Sequence, residues 1–233
     1  MKSKMKVVIL AGGFGTRLSE YTKKIPKPMV KINNKPILVH IIDHYLKFGF
    51  KEFYIALGYK GNIIKKFFKN KKLNYKLNLI DTGLKTMTGG RLKRLKKYFD
   101  INENFMMTYG DSVANINLKN LKKFHEKNKA LVTLTAVKPT ARFGAVKIRG
   151  SKVTYFKEKS SIDVGWINGG FMVMNSKFFN FIRGDNTYLE REPLEKLVKA
   201  KKLSAFKFKG FWQCMDTKRD KDRLEKIFKS KSF

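Results

Sequence analysis

Residues 7–18 of this chain read VVILAGGFGTRL. The first four residues are apolar and mostly β-branched, which predicts a short buried strand. Glycines at positions 12, 13 and 15 follow at once and can gather backbone amides around an anion at the edge of a sheet. Thr16 and Arg17 come next, and the planar donors of an arginine beside bare amides suit a polyphosphate. The stretch therefore predicts the first strand of an α/β domain and a phosphate-binding loop.

Two familiar glycine-rich loops do not match this stretch. A dinucleotide-binding fingerprint that starts at Gly13 is satisfied at Gly15 but needs a third glycine where Leu18 stands. A P-loop needs Gly-Lys followed by Ser or Thr, and Arg17-Leu18 does not supply it. A tight strand-to-helix turn that uses glycine for positive φ is the remaining alternative.

Lys27 stands between two prolines in the segment IPKPM, residues 25–29. The prolines stiffen the backbone, so the ammonium group is presented at limited entropic cost. A fixed cation suits phosphoryl charge, whereas an exposed surface lysine is the alternative interpretation. Lys27 is therefore a second candidate, after Arg17, for binding phosphate.

Apolar runs of strand length alternate with segments of helical period in the first half of the chain. The predicted strands are 6–10, 52–58, 77–81 and 105–110, and the predicted helices are 36–49, 62–70, 90–99 and 117–128. The runs LVTLTAV, GAVKI and VTYFKEK then follow one another over short turns, which favours mutual pairing. NGGFMVMN and SAFKFKGFW are further predicted strands, and 189–201 and 218–229 are predicted closing helices.

This order of elements predicts an α/β fold with a mostly parallel, mixed sheet and a small additional β region. We find no internal repeat or linker, so we expect residues 1–233 to form a single domain. Ligands of such a sheet bind beyond the carboxyl ends of its strands.

The chain carries 52 lysines and arginines against 18 aspartates and glutamates, a formal net charge of +34. Such an excess would suit a basic nucleic-acid-binding domain, which we keep as an alternative from another class. The excess is mostly lysine and is spread along the chain, which favours a solvated basic surface and no nucleic-acid partner. One cysteine excludes an internal disulfide, and no apolar run reaches about 18 residues, so we expect a cytoplasmic protein without a membrane partner.

The segments LAGGFGTRL and KIPKPMVKINNKPIL together resemble the opening of the nucleotidyltransferases that make nucleoside diphosphate sugars. Later segments resemble the cytidylyltransferase branch of that family, namely DTGLKTMTGGRLKRL, FMMTYGDSVANI, ARFGAVKI, FKEK, INGGFMVMN, EPLEKLV and GFWQCMDTKRDKDRLE. The resemblance extends over almost the whole chain. Its opening motif is shared by relatives that use other nucleotides, so the preference for cytidine depends on the later segments.

The resemblance implies a Rossmann-like three-layer fold of the nucleotide-diphospho-sugar transferase type. It also implies Mg²⁺-dependent transfer of a cytidylyl group from CTP to α-D-glucose 1-phosphate, with CDP-glucose and pyrophosphate as products. A thymidylyl- or uridylyltransferase acting on a hexose 1-phosphate is the alternative within the family. The implied partners are these small-molecule substrates, and a homo-oligomer is left open.

The resemblance also assigns roles to residues of this chain. The implied nucleotide-binding residues are Leu10, Ala11, Gly12, Gly13, Phe14, Gly15, Thr16, Arg17, Lys27, Thr86, Gly89, Arg91 and Gly110. Glu158, Lys159, Asn168 and Gly169 are implied on the sugar-phosphate side. Asp111 and Asp216 are the implied metal ligands, and Arg17, Lys27 and Asp111 the implied catalytic residues. The nucleotide-binding half is then about 1–115 and the sugar-phosphate-binding half about 116–233.

The chain departs from the family pattern in three places. The connection between Lys69 and Asp81 is brief where cytidylyltransferases of this type have a longer insertion. Ser160 and Cys214 stand where prolines are usual. We expect Ser160 and Cys214 to leave the chemistry intact.

Overall fold

A computed structural model describes residues 5–139, 144–158 and 165–230. Its strands are β1 (Val7–Leu10), β2 (Lys31–Ile32), β3 (Lys35–Pro36), β4 (Glu52–Leu57), β5 (Lys76–Asp81), β6 (Asn104–Tyr109), β7 (Ser112–Ala114), β8 (Val132–Val137), β9 (Ala145–Arg149), β10 (Lys152–Lys157), β11 (Ile167–Asn168), β12 (Met172–Asn175), β13 (Leu203–Phe208) and β14 (Trp212–Cys214). Its α-helices are α1 (Ser19–Thr22), α2 (Ile37–Lys47), α3 (Gly61–Phe68), α4 (Thr88–Leu95), α5 (Leu118–Asn128), α6 (Glu192–Lys199) and α7 (Lys218–Lys229). Short 3₁₀ helices lie at Thr16–Leu18, Lys27–Met29, Lys96–Tyr98 and Ser176–Phe181.

One large mixed sheet forms the centre of the fold. Strands β5, β4, β1 and β6 lie side by side and parallel, in that order. Strand β12 pairs antiparallel with β6 and with the start of β8, and β13 pairs parallel with β8. The predicted α/β fold with a mostly parallel, mixed sheet is thus confirmed.

Each face of the sheet buries its own apolar core, because neighbouring residues of a strand point to opposite faces. In β1, Val7 and Ile9 pack on one face with α2, α3 and α5, whereas Val8 and Leu10 pack on the other with α4 and α6. The result is a three-layer arrangement of helices, sheet and helices. Hydrophobic burial on both faces explains why β1 is continuously apolar.

Three smaller antiparallel pairs supplement the sheet, and one of them, β9–β10, lies in the predicted additional β region. They are the hairpin β2–β3, the hairpin β9–β10 and the pair β7–β14. The β7–β14 pair joins two parts of the chain that are far apart in sequence. Ser112 lies opposite Cys214, and the amide of Met215 donates to the carbonyl of Asp111 over 2.8 Å.

The predicted mutual pairing of three successive strands is wrong for the first of them. GAVKI and VTYFKEK do form the hairpin β9–β10, but LVTLTAV contains β8, which belongs to the large sheet. Strand β8 has β13 on one edge and β12 with β11 on the other. Pairing with a strand seventy residues further along the sequence was not visible in the local pattern.

Two predicted strands are each divided in the structure. NGGFMVMN breaks between β11 and β12, where Gly170 and Phe171 take φ values of 71° and 44°. SAFKFKGFW breaks between β13 and β14, which belong to different sheets. The helix predicted at 189–201 is shorter, Glu192–Lys199, because Pro193 suits the first turn and Lys201 adopts a φ of 54°.

The carboxyl ends of β1 and β6 lie next to each other and carry the two most informative motifs. Leu10 and Tyr109 are register partners, and the amide of Gly110 donates to the carbonyl of Leu10 over 2.9 Å. The glycine-rich loop and the Gly110-Asp111 turn therefore leave the sheet side by side. None of the helices in the described ranges has the length and apolarity needed to span a bilayer.

Candidate active site

Lys27 lies at the centre of a charged cluster formed by widely separated residues. Its Nζ donates to Oδ2 of Asp111 over 2.6 Å and to Oδ1 of Asp216 over 2.7 Å. Arg17 reaches the other oxygen of Asp216 with Nη1 at 2.8 Å. The Lys27 side chain is 11% exposed and that of Arg17 is 72% exposed. The structure thus brings together the three predicted catalytic residues and both predicted metal ligands.

Local structure explains how the cluster is held. Pro26 and Pro28 place Lys27 at the start of a 3₁₀ helix, as their fixed φ angles allow. The backbone of Asp216 is fixed by a capping box at the start of α7. In it, Asp220 accepts hydrogen bonds from the amides of Asp216 and Thr217.

The charges of the cluster stabilise one another. Burial acts to lower the pKa of Lys27, but the charge of Asp111 and hydrogen bonds to both aspartates outweigh it, so that pKa is raised. Burial acts to raise the pKa of Asp216, but the hydrogen bond and charge of Lys27, aided by Arg17, outweigh it, so that pKa is lowered. Lys27 is therefore protonated and Asp216 ionised at neutral pH.

A cavity of about 300 Å³ lies on the glycine-rich side of this cluster. Almost all the predicted nucleotide-binding residues line it: Leu10, Ala11, Gly12, Gly13, Phe14, Gly15, Thr16, Arg17, Lys27, Thr86, Arg91 and Gly110. Gly89 is the exception: it is buried in the first turn of α4, and its amide donates to the carbonyl of Thr187 over 2.9 Å. Gly15 has a φ of 66°, as the glycine-based turn requires.

Arg91 is buried and supports the wall of this cavity. Its Nη1 donates to the carbonyls of Leu57 and Gly83 and to the hydroxyl of Thr82, over 2.7 to 2.9 Å. Its Nη2 donates to the carbonyl of Gly12 over 2.9 Å. A Cβ on Gly12 would lie 2.3 Å from Nη1, so the loop needs glycine there to accommodate the guanidinium. Arg91 thus joins the glycine-rich loop to the ends of β4 and β5.

We expect the Arg91→Ala variant to lose at least about 2 kcal/mol of unfolding free energy, because several buried backbone carbonyls lose their donor. Urea unfolding measures this loss. Arg94→Ala is the matched control on the same helix, since Arg94 makes an exposed ion pair with Asp185 and should contribute less than about 1 kcal/mol. Equal losses in the two variants would contradict the structural role of Arg91.

A second cavity, of about 990 Å³, lies on the other side of the cluster. Arg17, Tyr109 and Asp111 line both cavities, so the two spaces meet at the cluster. Among the residues predicted for the sugar-phosphate side, Asn168 and Gly169 line this larger cavity. Trp212 fixes their segment, because its indole N–H donates to the carbonyl of Gly169 over 2.7 Å.

Of the other two sugar-phosphate predictions, the structure describes only Glu158. Glu158 is exposed at the end of the β9–β10 hairpin and does not line the cavity in the described part of the chain. Lys159 lies outside the described residues, as does Ser160.

The residues of the large cavity that sequence reasoning missed include Tyr109, Glu190, Arg219 and Arg223. Tyr109 and Glu190 were assigned to the end of a predicted strand and the start of a predicted helix, with no signal of a site. Arg219 did carry a signal, because a cation in the first turn of a helix opposes the helix dipole.

Comparisons with known proteins agree with this architecture. The family described as nucleotidyl transferase matches residues 6–217. The chain is 45% identical to a glucose-1-phosphate cytidylyltransferase of Salmonella typhimurium over 96% of both chains. It is 33% identical to a D-glycero-alpha-D-manno-heptose 1-phosphate guanylyltransferase of Campylobacter jejuni, over 89% of this chain and 93% of the relative.

Among solved structures, the fold is similar to that of HddC from Yersinia pseudotuberculosis complexed with GMP-PN. The TM-score is 0.75 at 28% identity, over 96% of this chain and 99% of the other. The match of the family along most of the chain, together with these relatives, confirms the resemblance inferred from the motifs. The chain belongs to the nucleotidyl transferase family of enzymes.

Proposed function

We propose that this protein transfers a cytidylyl group from CTP to α-D-glucose 1-phosphate and releases pyrophosphate. The observation that carries the proposal is the cluster of Lys27, Asp111 and Asp216 at the junction of two cavities. A two-substrate transfer needs two adjoining binding spaces with the reacting groups between them. The 45% identity to a cytidylyltransferase supports the choice of nucleotide and sugar.

The proposed reaction joins two anions, so its main requirement is charge neutralisation and positioning. A phosphate oxygen of the sugar phosphate attacks the α-phosphorus of CTP, and the bond from that phosphorus to the pyrophosphate oxygen breaks. The attacking oxygen is already ionised near neutral pH, so no side chain has to remove a proton. We assign the stabilisation of the developing charge to Lys27 and Arg17, and the binding of the triphosphate to the glycine-rich loop.

Mg²⁺ is the proposed metal, and the residues present suit it. Asp111 and Asp216 each direct a carboxylate oxygen to Nζ of Lys27, so both already contact the same positive charge. No third carboxylate, histidine or cysteine joins them into a metal-binding group within residues 5–139, 144–158 and 165–230. Mg²⁺ commonly takes one or two carboxylates and completes its shell with phosphate oxygens and water. Bound by these aspartates, it would neutralise the triphosphate and polarise the reacting phosphoryl group.

The acceptor phosphate also needs cations, and the large cavity offers some outside the central cluster. Arg219 and Arg223 lie one turn apart on α7 and both line the cavity. Neither forms an ion pair with a carboxylate among the described residues. We assign these two arginines to the acceptor phosphate, together with the predicted Lys159.

We keep the single-domain organisation as a proposal, with a nucleotide-binding half of about 1–115 and a sugar-phosphate-binding half of about 116–233. Apart from Tyr188, the small cavity is lined by residues that precede position 115. The large cavity draws mainly on residues after that position. The division between the halves therefore falls close to the central cluster.

Pyrophosphate release with Mg²⁺ and glucose 1-phosphate tests the function, compared across CTP, UTP, dTTP, GTP and ATP. We expect the highest kcat/KM with CTP, because the later segments of the chain resemble cytidylyltransferases. Preference for UTP or dTTP would instead support the alternative inside the family.

A binding measurement on random duplex DNA at several salt concentrations serves as the counter-test. Salt-sensitive DNA binding without pyrophosphate release from any nucleotide would contradict the proposal and favour a nucleic-acid-binding function. Release from CTP with weak, non-specific DNA binding would support it.

A further inference from the structure

Glu190 is a carboxylate in the wall of the large cavity that the residues assigned above do not include. It lies just before α6, and it lines the cavity with Tyr109, Asn168 and Asp111. Its Oε1 accepts a hydrogen bond from the Tyr109 hydroxyl over 2.7 Å, and its Oε2 accepts one from the Thr88 hydroxyl, also over 2.7 Å. A carboxylate has about four acceptor sites, so these two bonds leave capacity for another donor.

The charge of Glu190 is unusual for its surroundings. The chain has 52 basic residues and 18 acidic ones, yet no lysine or arginine forms an ion pair with Glu190 among the described residues. Its two partners are neutral hydroxyls. A carboxylate without an ion pair repels the anionic phosphates of the substrates, whereas it can accept hydrogen bonds from neutral donors. The neutral donors that enter this cavity in the proposed reaction are the hydroxyls of the sugar.

The position of Glu190 is fixed rather than loose. The segment that carries it is bonded to the start of α4: the amide of Gly89 donates to the carbonyl of Thr187 over 2.9 Å, and the amide of Leu189 to the hydroxyl of Thr88 over 2.9 Å. Tyr109 is half-buried at the end of β6, and its hydroxyl donates to Glu190. The carboxylate is therefore held in one place by groups from two elements.

We propose that Glu190 accepts a hydrogen bond from a hydroxyl group of the acceptor sugar. This assignment rests on the proposed function and adds a sugar-binding residue to it. Tyr109 and Thr88 act as positioning residues for the carboxylate. Because Thr88 also lines the nucleotide cavity, the same carboxylate links the sugar-binding wall to the helix beside the nucleotide.

The test compares wild type, Glu190→Gln and Glu190→Ala with glucose 1-phosphate and its 2-, 3-, 4- and 6-deoxy analogues. For glucose 1-phosphate we expect KM to rise about tenfold or more in Glu190→Ala, since hydrogen bonds to charged groups are among the stronger ones. Glu190→Gln should show a smaller rise, and the KM for CTP should stay within about twofold of wild type. Wild type should bind one deoxy analogue more weakly than glucose 1-phosphate, whereas Glu190→Ala should bind the two equally well. The position that this analogue lacks identifies the hydroxyl that Glu190 contacts.

Glu192→Gln is the matched control, because Glu192 lies two residues away and pairs with Arg183 and Lys196 outside the cavity. It should leave both KM values unchanged. The assignment of Glu190 is wrong if removing any of the hydroxyls weakens binding by the same factor in Glu190→Ala as in wild type. It is also wrong if the KM values for glucose 1-phosphate and for CTP rise together. Wild-type enzyme that turns over no hexose 1-phosphate would contradict the proposed function instead, so the two failures are distinguishable.

Discussion

In the Lys27→Ala variant we expect kcat/KM to fall by about two orders of magnitude or more, about 3 kcal/mol of transition-state stabilisation. Lys27 is the cation between Asp111 and Asp216, at 2.6 and 2.7 Å, and it faces the point where the two cavities meet. Its removal takes a fixed positive charge from the reacting phosphates and leaves two carboxylates to repel each other. Initial rates of pyrophosphate release, with each substrate varied in turn, measure the loss.

Lys24→Ala is the control for this experiment. Lys24 is three residues away and exposed, and its removal lowers the net charge of the chain by the same amount. Its kcat/KM should stay close to that of wild type. Urea unfolding of both variants separates lost catalysis from lost structure. Unchanged turnover in Lys27→Ala would remove this residue from the mechanism.

We expect the Asp111→Asn variant to lose activity by about a thousandfold or more while remaining folded. The substitution keeps the size of the side chain but removes the negative charge that suits a divalent cation. Metal-assisted charge stabilisation contributes several kcal/mol, so its loss has an effect of this order. The Mg²⁺ concentration that gives half of the maximal rate should also be higher for the variant than for wild type. Rates measured over a series of Mg²⁺ concentrations test this.

Asp222→Asn on the exposed side of α7 is the matched control and should behave like wild type in both rate and Mg²⁺ dependence. Thermal unfolding should give similar midpoints for the two variants, because Lys27 keeps its contact with Asp216 when Asp111 is neutral. Full activity in Asp111→Asn would contradict its assignment as a metal ligand.

The parts of the fold that local patterns encode were predictable. Strand β1 is continuously apolar, and the glycines that follow it can only serve a turn or a ligand. The alternation of strands and helices up to residue 128 was likewise confirmed, because each of these elements has its own hydrophobic periodicity. Residue chemistry alone also indicated Arg17 and Lys27 as candidates for binding phosphate.

The parts that depend on long-range pairing were not predictable from the chain alone. The contact of Asp111 with the segment before Asp216 arises from β7–β14 pairing, and no local sequence pattern predicts that pairing. Only the family resemblance indicated that these two aspartates meet. The break at Phe171 and the backbone contacts of Arg91 were invisible for the same reason, since both are set by tertiary packing.

The β7–β14 pair has a consequence for the synthesis of the protein. Arg17 and Lys27 emerge early during translation, whereas Asp216 follows Lys27 by 189 residues. A growing chain that has not reached Asp216 therefore displays the phosphate-binding loop without the carboxylate that completes the charged cluster. Domains assemble from the chain as it becomes available. In the proposed mechanism, catalysis therefore requires the segment with Asp216 to have left the ribosome, and we expect chains that stop before Asp216 to be inactive even where their first half is folded.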